Sequence, residues 1–214
     1  MARKPVPYAA KLAASLGIAV VSLGLAATVY FAMTASKGND VFAQCRINSL
    51  AAGGATIGGP FELVSEDGET VTQADILTKP TLMYFGYSYC PDVCPIDGVR
   101  NAEAATLLRE AGYDVGDVFV TVDPERDTPE VMKEFTDYFD DEMIGLTGSE
   151  EQVAAAAKTF RVYFAKNGDG EDYLMDHSTF TYLMLPDLSL AEIFRRDAPA
   201  EEMVKVTSCI IDAL

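Results

Sequence analysis

The sequence feature that most constrains the fold is a continuous apolar run that leads into two cysteines. Residues 81–88 read TLMYFGYS and contain no charged side chain. Such a run is typical of a strand buried on both faces, at the centre of a sheet that helices cover. Cys90 and Cys94 follow the run, and each stands directly before a proline. The run therefore predicts a layered α/β domain with a cysteine pair at the end of a central strand.

Patterns on either side of this run predict alternating strands and helices. The segment after Cys94 predicts a helix that has Pro95 in its first turn and ends near Gly112. The other predicted elements are a hairpin at 61–72, a strand at 117–123, a helix at 127–139, a strand at 143–148, a helix at 149–164, a hairpin at 178–196 and a helix at 198–214. Early parallel strands joined by helices, then a hairpin and a last helix, predict a thioredoxin-like fold. In that fold the active cysteines occupy the turn after the first core strand.

An uncharged stretch at residues 12–33 predicts a transmembrane helix before this domain. Its 22 residues would span the roughly 30 Å hydrocarbon core of a bilayer. Three basic residues precede the stretch and only Lys37 follows closely, which predicts a cytoplasmic N-terminus. A cleaved signal peptide is the alternative. We expect a cytoplasmic flank and anchor at 1–36, a linker at 37–56, and a thioredoxin-like domain at 57–214. A single pass through a bacterial inner membrane would place this domain in the periplasm.

The exported part is strongly acidic. Residues 40–214 carry all 33 acidic residues but only 12 of the 16 basic ones, so their net charge is near −21. A surface of this charge repels nucleic acid and anionic lipid headgroups, which argues against a nucleic-acid partner. The charge can steer cationic partners or metal ions, and it also keeps a domain soluble.

The pair Cys90 and Cys94, spaced C-x-x-x-C, has three interpretations: a redox pair, a structural bridge, or two metal ligands. A dithiol oxidoreductase normally has one residue fewer between its sulfurs. A helix N-terminus favours thiolate over thiol, and a nucleophile and a metal ligand both need the thiolate. The position of the pair alone therefore does not separate redox chemistry from metal binding.

His177, the only histidine of the chain, offers a third donor. It lies at the entrance to a predicted strand, in a loop that can approach the cysteine turn of a thioredoxin-like sheet. A lone histidine is otherwise a solvated loop residue or a satisfied core imidazole. Two thiolates and one imidazole suit copper, especially Cu(I), and could also take zinc. A structural zinc site would require a fourth protein ligand.

Three motifs together resemble the Sco/SenC family of copper-binding assembly factors. They are YFGYSYCPDVCP, VTVDPERDTPE and DHSTFTYL, in this order within residues 57–213. The resemblance implies that Cys90, Cys94 and His177 bind copper, as Cu(I) or Cu(II). The extra residue in the cysteine motif would let the two sulfurs hold one ion when reduced and close a disulfide when oxidised.

The resemblance also implies a function, which is a membrane-anchored copper metallochaperone rather than an enzyme. Such a protein delivers copper to, or prepares, the dinuclear copper centre of cytochrome c oxidase subunit II. Two alternatives stay open: a thiol-disulfide oxidoreductase that reduces the cysteines of that subunit, and a redox or copper sensor. The expected partners are subunit II, a periplasmic thioredoxin-like reductant that keeps the redox-active pair reduced, and another copper chaperone.

Several side chains near the motifs have both functional and structural interpretations. Asp92 and Asp176 flank the ligands and could orient His177, or they are exposed loop carboxylates. Asp123 and Arg126 match the family pattern and suggest a surface for partner docking.

Capping and core packing explain other residues of the same motifs. Asp127 or Thr128 would cap the helix that follows. Tyr84 fits the core, whereas Tyr87 and Tyr89 could wall the copper site.

The remaining cysteines, Cys45 and Cys209, lie near the two ends of the exported part. Free thiols are a liability in an oxidising compartment, where disulfides persist. We expect a disulfide that ties the linker to the last helix. An intermolecular bond from either cysteine is the alternative.

Overall fold

The computed structural model describes residues 24–28, 30, 41–47 and 57–214. Residues 42–214 form one compact unit, and within residues 1–41 the helical positions described are 24–28 and 30. None of the helices in these described ranges is both long and apolar enough to cross a membrane. The predicted span at 12–33 and the predicted linker at 37–56 fall largely outside the described residues, so the anchor and the linker stay predictions.

Residues 57–214, all of which are described, contain nine strands and five helices. The strands are β1 (Glu62–Ser65), β2 (Thr70–Thr72), β3 (Thr81–Gly86), β4 (Gly116–Thr121), β5 (Met143–Thr147), β6 (Phe164–Asn167), β7 (Leu174–His177), β8 (Thr181–Met184) and β9 (Leu190–Phe194). The helices are α1 (Gln73–Ile76), α2 (Val93–Glu110), α3 (Pro129–Asp137), α4 (Glu150–Thr159) and α5 (Ala200–Asp212).

Seven of the strands form one sheet in the order β2-β1-β5-β4-β3-β8-β9. Strands β3, β4 and β5 are parallel, and β1 and β8 pair with this parallel core in the antiparallel sense. Every residue of β3 is buried, as expected for a central strand covered on both faces. The predicted strand is therefore confirmed, and its carboxyl end leads into the cysteine turn.

Local capping signals set the starts of two helices at their predicted positions. The Thr128 hydroxyl accepts a hydrogen bond from the N–H of Val131 at 3.4 Å, and this caps α3. Ser149 and Gln152 form a reciprocal capping box at the start of α4. Each cap satisfies N–H groups that have no partner inside the helix, so the helix start is determined by residues within one turn.

The hairpin of β6 and β7 differs from the prediction. We predicted a helix from 149 to 164, but α4 ends at Thr159, and Arg161 adopts a left-handed φ of 55° that stops the helical path. Strand β6 then pairs with β7 in a separate two-stranded sheet. His177 is consequently the last residue of β7 and does not stand at the entrance to β8. Four-residue strands around a turn rich in Gly and Asp leave too little periodicity for a prediction.

A disulfide joins the segment 42–47 to the last helix. Cys45 is bonded to Cys209 of α5, and Cys45 is buried against apolar side chains. The neighbouring Arg46 donates from Nε to the carbonyl oxygen of Ala191 at 2.8 Å. The predicted bridge between the linker and the C-terminal helix is therefore confirmed.

Candidate metal centre

The structure brings Cys90, Cys94 and His177 together beyond the carboxyl end of β3. Their ligand atoms all lie within 4.8 Å of one another, and Nε2 of His177 lies 3.4 Å from Sγ of Cys94. Sulfur and nitrogen ligands of one tetrahedral ion lie roughly 3.5 Å apart, so these three donors need only a small contraction to bind a common ion. Both cysteines are buried, whereas the imidazole is partly exposed.

The cysteine turn packs tightly against the end of β3. Cys90 lies in the turn, and Cys94 is the second residue of α2. A Cβ atom on Gly86 would lie 2.7 Å from the ring of Phe119 and 3.0 Å from Sγ of Cys94. Glycine is therefore required where the strand passes under the sulfur.

Hydrogen bonds to Asp127 fix the start of the cysteine turn. It is fully buried, and it accepts hydrogen bonds from the N–H and hydroxyl of Ser88 and from the hydroxyl of Thr121. Asp127 therefore holds the turn, and Thr128 alone is the helix cap. Capping is the only role that the sequence pattern indicates for this aspartate, because its partner Ser88 lies 39 residues earlier in the chain.

The backbone of Ser178 orients the imidazole of His177. Nδ1 of His177 lies 2.9 Å from the carbonyl oxygen of Ser178. Because a carbonyl oxygen only accepts, Nδ1 carries the proton in the neutral ring and the lone pair of Nε2 faces Cys94. The rings of Tyr84 and Tyr87 meet the imidazole edge-on, at centroid distances of 6.2 and 5.8 Å. The ring therefore presents a ligand atom in a fixed direction.

Neither flanking carboxylate orients this imidazole. Asp176 is exposed, and it accepts from the side-chain amide of Asn167 on β6 at 3.2 Å. Asp92 is the N-cap residue of α2, but it is exposed and its side chain makes no capping hydrogen bond. The structure thus favours the interpretation of both as exposed loop carboxylates.

The two thiols of the motif differ in proton affinity. A hydrogen bond from Cys94 lowers the pKa of Cys90 well below its ordinary value, and the N–H groups of Cys94 and Asp92 add to this effect. The same bond, together with burial, raises the pKa of Cys94. The reduced pair therefore keeps one proton, on Cys94, and presents Cys90 as a thiolate. A thiolate of this kind can act as a ligand or as a nucleophile.

Comparison with protein families matches residues 50–212 to the SCO1/SenC family. The chain belongs to this family. It is 50% identical to Protein SenC of Rhodobacter capsulatus over 206 residues, which cover 96% of this chain and 91% of that protein. The prediction made from the three motifs is therefore confirmed.

Solved structures of SCO1/SenC relatives have the same fold. The chain is similar to Arabidopsis thaliana ScoI with copper bound, with a TM-score of 0.69 and 39% identity over 73% of this chain and 99% of that one. It is also similar to Bradyrhizobium japonicum ScoI with copper bound, with a TM-score of 0.65 and 37% identity over 74% of this chain and 99% of that one. These similarities confirm the thioredoxin-like α/β fold.

Two of the three candidate ligands of this SCO1/SenC chain, Cys90 and His177, line an open cleft of about 230 Å³, whereas Cys94 is fully buried. Tyr87 and Met175 contribute to its wall beside the ligands, which agrees with the prediction for Tyr87. Tyr89 does not wall the cleft; it is 59% exposed, and its ring contacts Arg126 instead. Because one side of the site is open, ligands from a partner can reach it.

A buried polar row lies beneath the site, and the sequence patterns did not predict it. The hydroxyl of Tyr84 donates to Asp97 at 2.9 Å, and Asp97 pairs with Arg100 at 3.2 Å. Nη2 of Arg100 in turn donates to the hydroxyl of Thr181 at 2.9 Å. Burial raises the pKa of Asp97. The signal available in the sequence was the spacing of Asp97 and Arg100 on the inner face of α2, three and six residues after Cys94.

Proposed function

We propose that this protein is a copper metallochaperone that binds copper through Cys90, Cys94 and His177. The proposal depends on one observation: two sulfurs and one imidazole nitrogen lie within 4.8 Å of one another, with the nitrogen lone pair facing Cys94. Soft sulfur ligands with imidazole favour Cu(I). The related structures from Arabidopsis thaliana and Bradyrhizobium japonicum contain copper, which supports the same cargo here.

An open three-donor site suits transfer of the ion. Four protein ligands would enclose a metal, whereas a three-ligand site with Cys90 and His177 at the wall of a cleft leaves one side for the ligands of a partner. The ion can then pass by stepwise exchange, with each new bond formed before an old one breaks. After release, exchange with a disulfide of a partner can oxidise the two sulfurs to an intramolecular disulfide while the partner gains two thiols, and this prevents rebinding because a disulfide sulfur is not a thiolate.

The receiving partner in this proposal is subunit II of cytochrome c oxidase, whose dinuclear copper centre the protein fills or prepares. The Sco family is a family of cytochrome c oxidase assembly proteins. Residues 12–33 would anchor the protein in a bacterial inner membrane, with residues 37–56 as a linker and the domain on the periplasmic side. A thioredoxin-like reductant would reduce the cysteine pair there, and another copper chaperone would supply the ion.

Copper loading of the reduced full-length protein in detergent tests this site. We expect one copper ion per wild-type protein and loss of tight binding in Cys94→Ser, because a hydroxyl is a poor ligand for Cu(I). His177→Ala should weaken binding. Asp176→Asn, next to the ligand but not in contact with it, is the matched control and should bind like wild type. Full copper retention by Cys94→Ser would refute the proposed site.

A second function is favoured by the unequal thiols. A thiolate on Cys90 beside a protonated Cys94 is the arrangement that attacks a disulfide: Cys90 forms a mixed disulfide, and Cys94 then closes an intramolecular one. The target gains two thiols, and this pair becomes oxidised. His177→Ala separates the two functions, since it should weaken copper binding while reduction of a peptide disulfide continues. Loss of reduction in proportion to copper affinity would argue against an independent reductase.

A further inference from the structure

Arg126 lies where the segments that carry the metal ligands meet. It belongs to the loop after β4, and its guanidinium carbon lies 3.6 Å from the centroid of the Tyr173 ring. The same carbon lies 4.7 Å from the ring of Tyr89 and 5.9 Å from that of Tyr87. Tyr173 stands directly before β7, which ends at His177, whereas Tyr87 and Tyr89 belong to the cysteine turn. One cation therefore packs against both ligand-bearing segments.

Asp123 holds this guanidinium in place. Nε of Arg126 donates to Oδ2 of Asp123 at 2.5 Å, and the hydroxyl of Tyr173 donates to Oδ1 of the same carboxylate at 2.7 Å. Nη1 also approaches the carbonyl oxygen of Glu171 at 3.4 Å. Nη2 is buried and has no hydrogen-bond acceptor within the described part of the chain, so its contacts are with the aromatic rings. Cation and ring faces attract each other, most strongly when water is excluded.

The hairpin that carries His177 depends on contacts of this kind for its position. Strands β6 and β7 form their own two-stranded sheet and share no strand ladder with the seven-stranded sheet. Side-chain contacts therefore help to set the distance between the imidazole and the cysteines. Tyr84 and Tyr87 make two such contacts, because their rings meet His177 edge-on. Arg126 makes another, through Tyr173.

We propose that Arg126 is a positioning residue of the metal centre, which holds the β6–β7 hairpin against the cysteine turn and so sets the distance from His177 to Cys94. This inference rests on the proposed copper site and adds a residue that touches none of the three ligand atoms. The planar guanidinium suits this task, since it can lie against the rings of Tyr173, Tyr87 and Tyr89 and still donate from Nε to Asp123. A lysine would keep the charge but not the geometry.

Lys166 provides a matched control on the same ring. Its Nζ lies 3.6 Å from the centroid of Tyr173 and 3.1 Å from Glu125. It is therefore a second cation against the same tyrosine. Among the described residues, however, its only ring contact is with Tyr173, and it does not reach the cysteine turn.

Copper(I) affinity, measured with the reduced full-length protein by competition with a chromogenic chelator, tests the proposal. We expect Arg126→Gln to weaken binding about tenfold, the lower end of the effect known for groups that orient a ligand. Arg126→Lys should weaken it similarly, and Lys166→Gln by less than about twofold. In a His177→Ala background, Arg126→Gln should have no further effect, because no imidazole remains to be positioned.

Two outcomes would overturn the proposal. One is wild-type affinity in Arg126→Gln. The other is an equal loss with and without His177, which would mean that the substitution damages the cysteine pair or the fold as a whole. Unchanged affinity in His177→Ala alone would instead refute the three-ligand site, so the two failures are distinguishable.

A measurement without copper tests the positioning directly. Because His177 is the only histidine, the ring nitrogen signals of the untagged reduced protein belong to it without ambiguity. Wild type and Lys166→Gln should show a proton fixed on Nδ1. In Arg126→Gln the Nε2 signal should shift from its wild-type position, because Nε2 no longer lies beside Sγ of Cys94, whereas Nδ1 should keep its proton because Ser178 moves with His177. A wild-type Nε2 signal in Arg126→Gln would contradict the proposal whatever the metal affinity.

Discussion

The two cysteine pairs of this protein occupy opposite ends of one compact unit and differ in chemical state. Cys90 and Cys94 are four positions apart and are both thiols, whereas Cys45 and Cys209 are separated by 164 residues and form a disulfide. Helix α2 runs away from Cys94, and beyond its end Tyr113 donates to Asp212, near the end of α5. Cys209 lies on that last turn of α5, so the disulfide is far from the metal centre.

The difference between the pairs follows from their surroundings. Cys90 has N–H groups of a helix start and a thiol around it, both of which stabilise a negative sulfur. Cys45 packs instead among apolar side chains and is bonded to Cys209. The same residue type is therefore a ligand or nucleophile at one end and a structural bond at the other.

Copper binding should show the largest difference between the pairs. Cys94→Ser should lose copper almost completely, and Cys209→Ser should keep one ion per reduced protein, because its sulfur lies far from the donors. Metal analysis after gel filtration measures both. Equal copper content in the two variants would contradict the assignment of copper binding to only one of the two cysteine pairs.

The free energy of unfolding should depend more on the Cys45–Cys209 disulfide than on the Cys90–Cys94 pair. Replacing Cys45 and Cys209 together by alanine should lower the free energy of unfolding by about 2–4 kcal/mol, since the bridge restricts the unfolded chain. Cys90→Ala should cost about 1 kcal/mol or less. Denaturant titration of the two variants in parallel measures this difference. A larger loss in Cys90→Ala would contradict the structural role of the disulfide.

Thiol titration in a graded redox buffer should separate the pairs by about a hundredfold in equilibrium constant, which corresponds to about 60 mV for a two-electron couple. The Cys90–Cys94 pair should open and close first, because its thiolate is stabilised, and only the opened form should take up copper. The bridge between Cys45 and Cys209 should resist the same reductant. Mass spectrometry of alkylated peptides counts the thiols. Equal copper uptake by the oxidised and the reduced protein would contradict the prediction that copper binds only after reduction.

Among these predictions, the pH dependence of Cys90 alkylation has the smallest expected effect. The pKa of Cys90 is lowered, so its thiolate persists as the pH falls until the pH approaches that lowered value. Its alkylation rate should change less than about twofold between pH 8 and pH 6, whereas an ordinary thiol slows about tenfold per unit. The same protein in denaturant is the reference. A tenfold decrease per unit in the folded protein would show an unperturbed thiol.

Much of the fold followed from short-range patterns in the sequence. The buried run of β3, the caps at Thr128 and Ser149, and the helix that starts beside Cys94 each depend on residues within a few positions of one another. Hydrophobic periodicity and capping act over that range, so they can be read without the fold. The family motifs then predicted the three candidate ligands.

The tertiary structure alone decided how the site is held. His177 meets Cys94 across 83 residues, Asp127 holds Ser88 across 39, and Arg126 reaches both ligand-bearing segments. The β6–β7 hairpin that makes the first of these contacts left no clear pattern of its own. Such contacts form only when distant parts of the chain pack together. Their partners therefore cannot be found by counting residues along the sequence, even where each residue type suggests its chemistry.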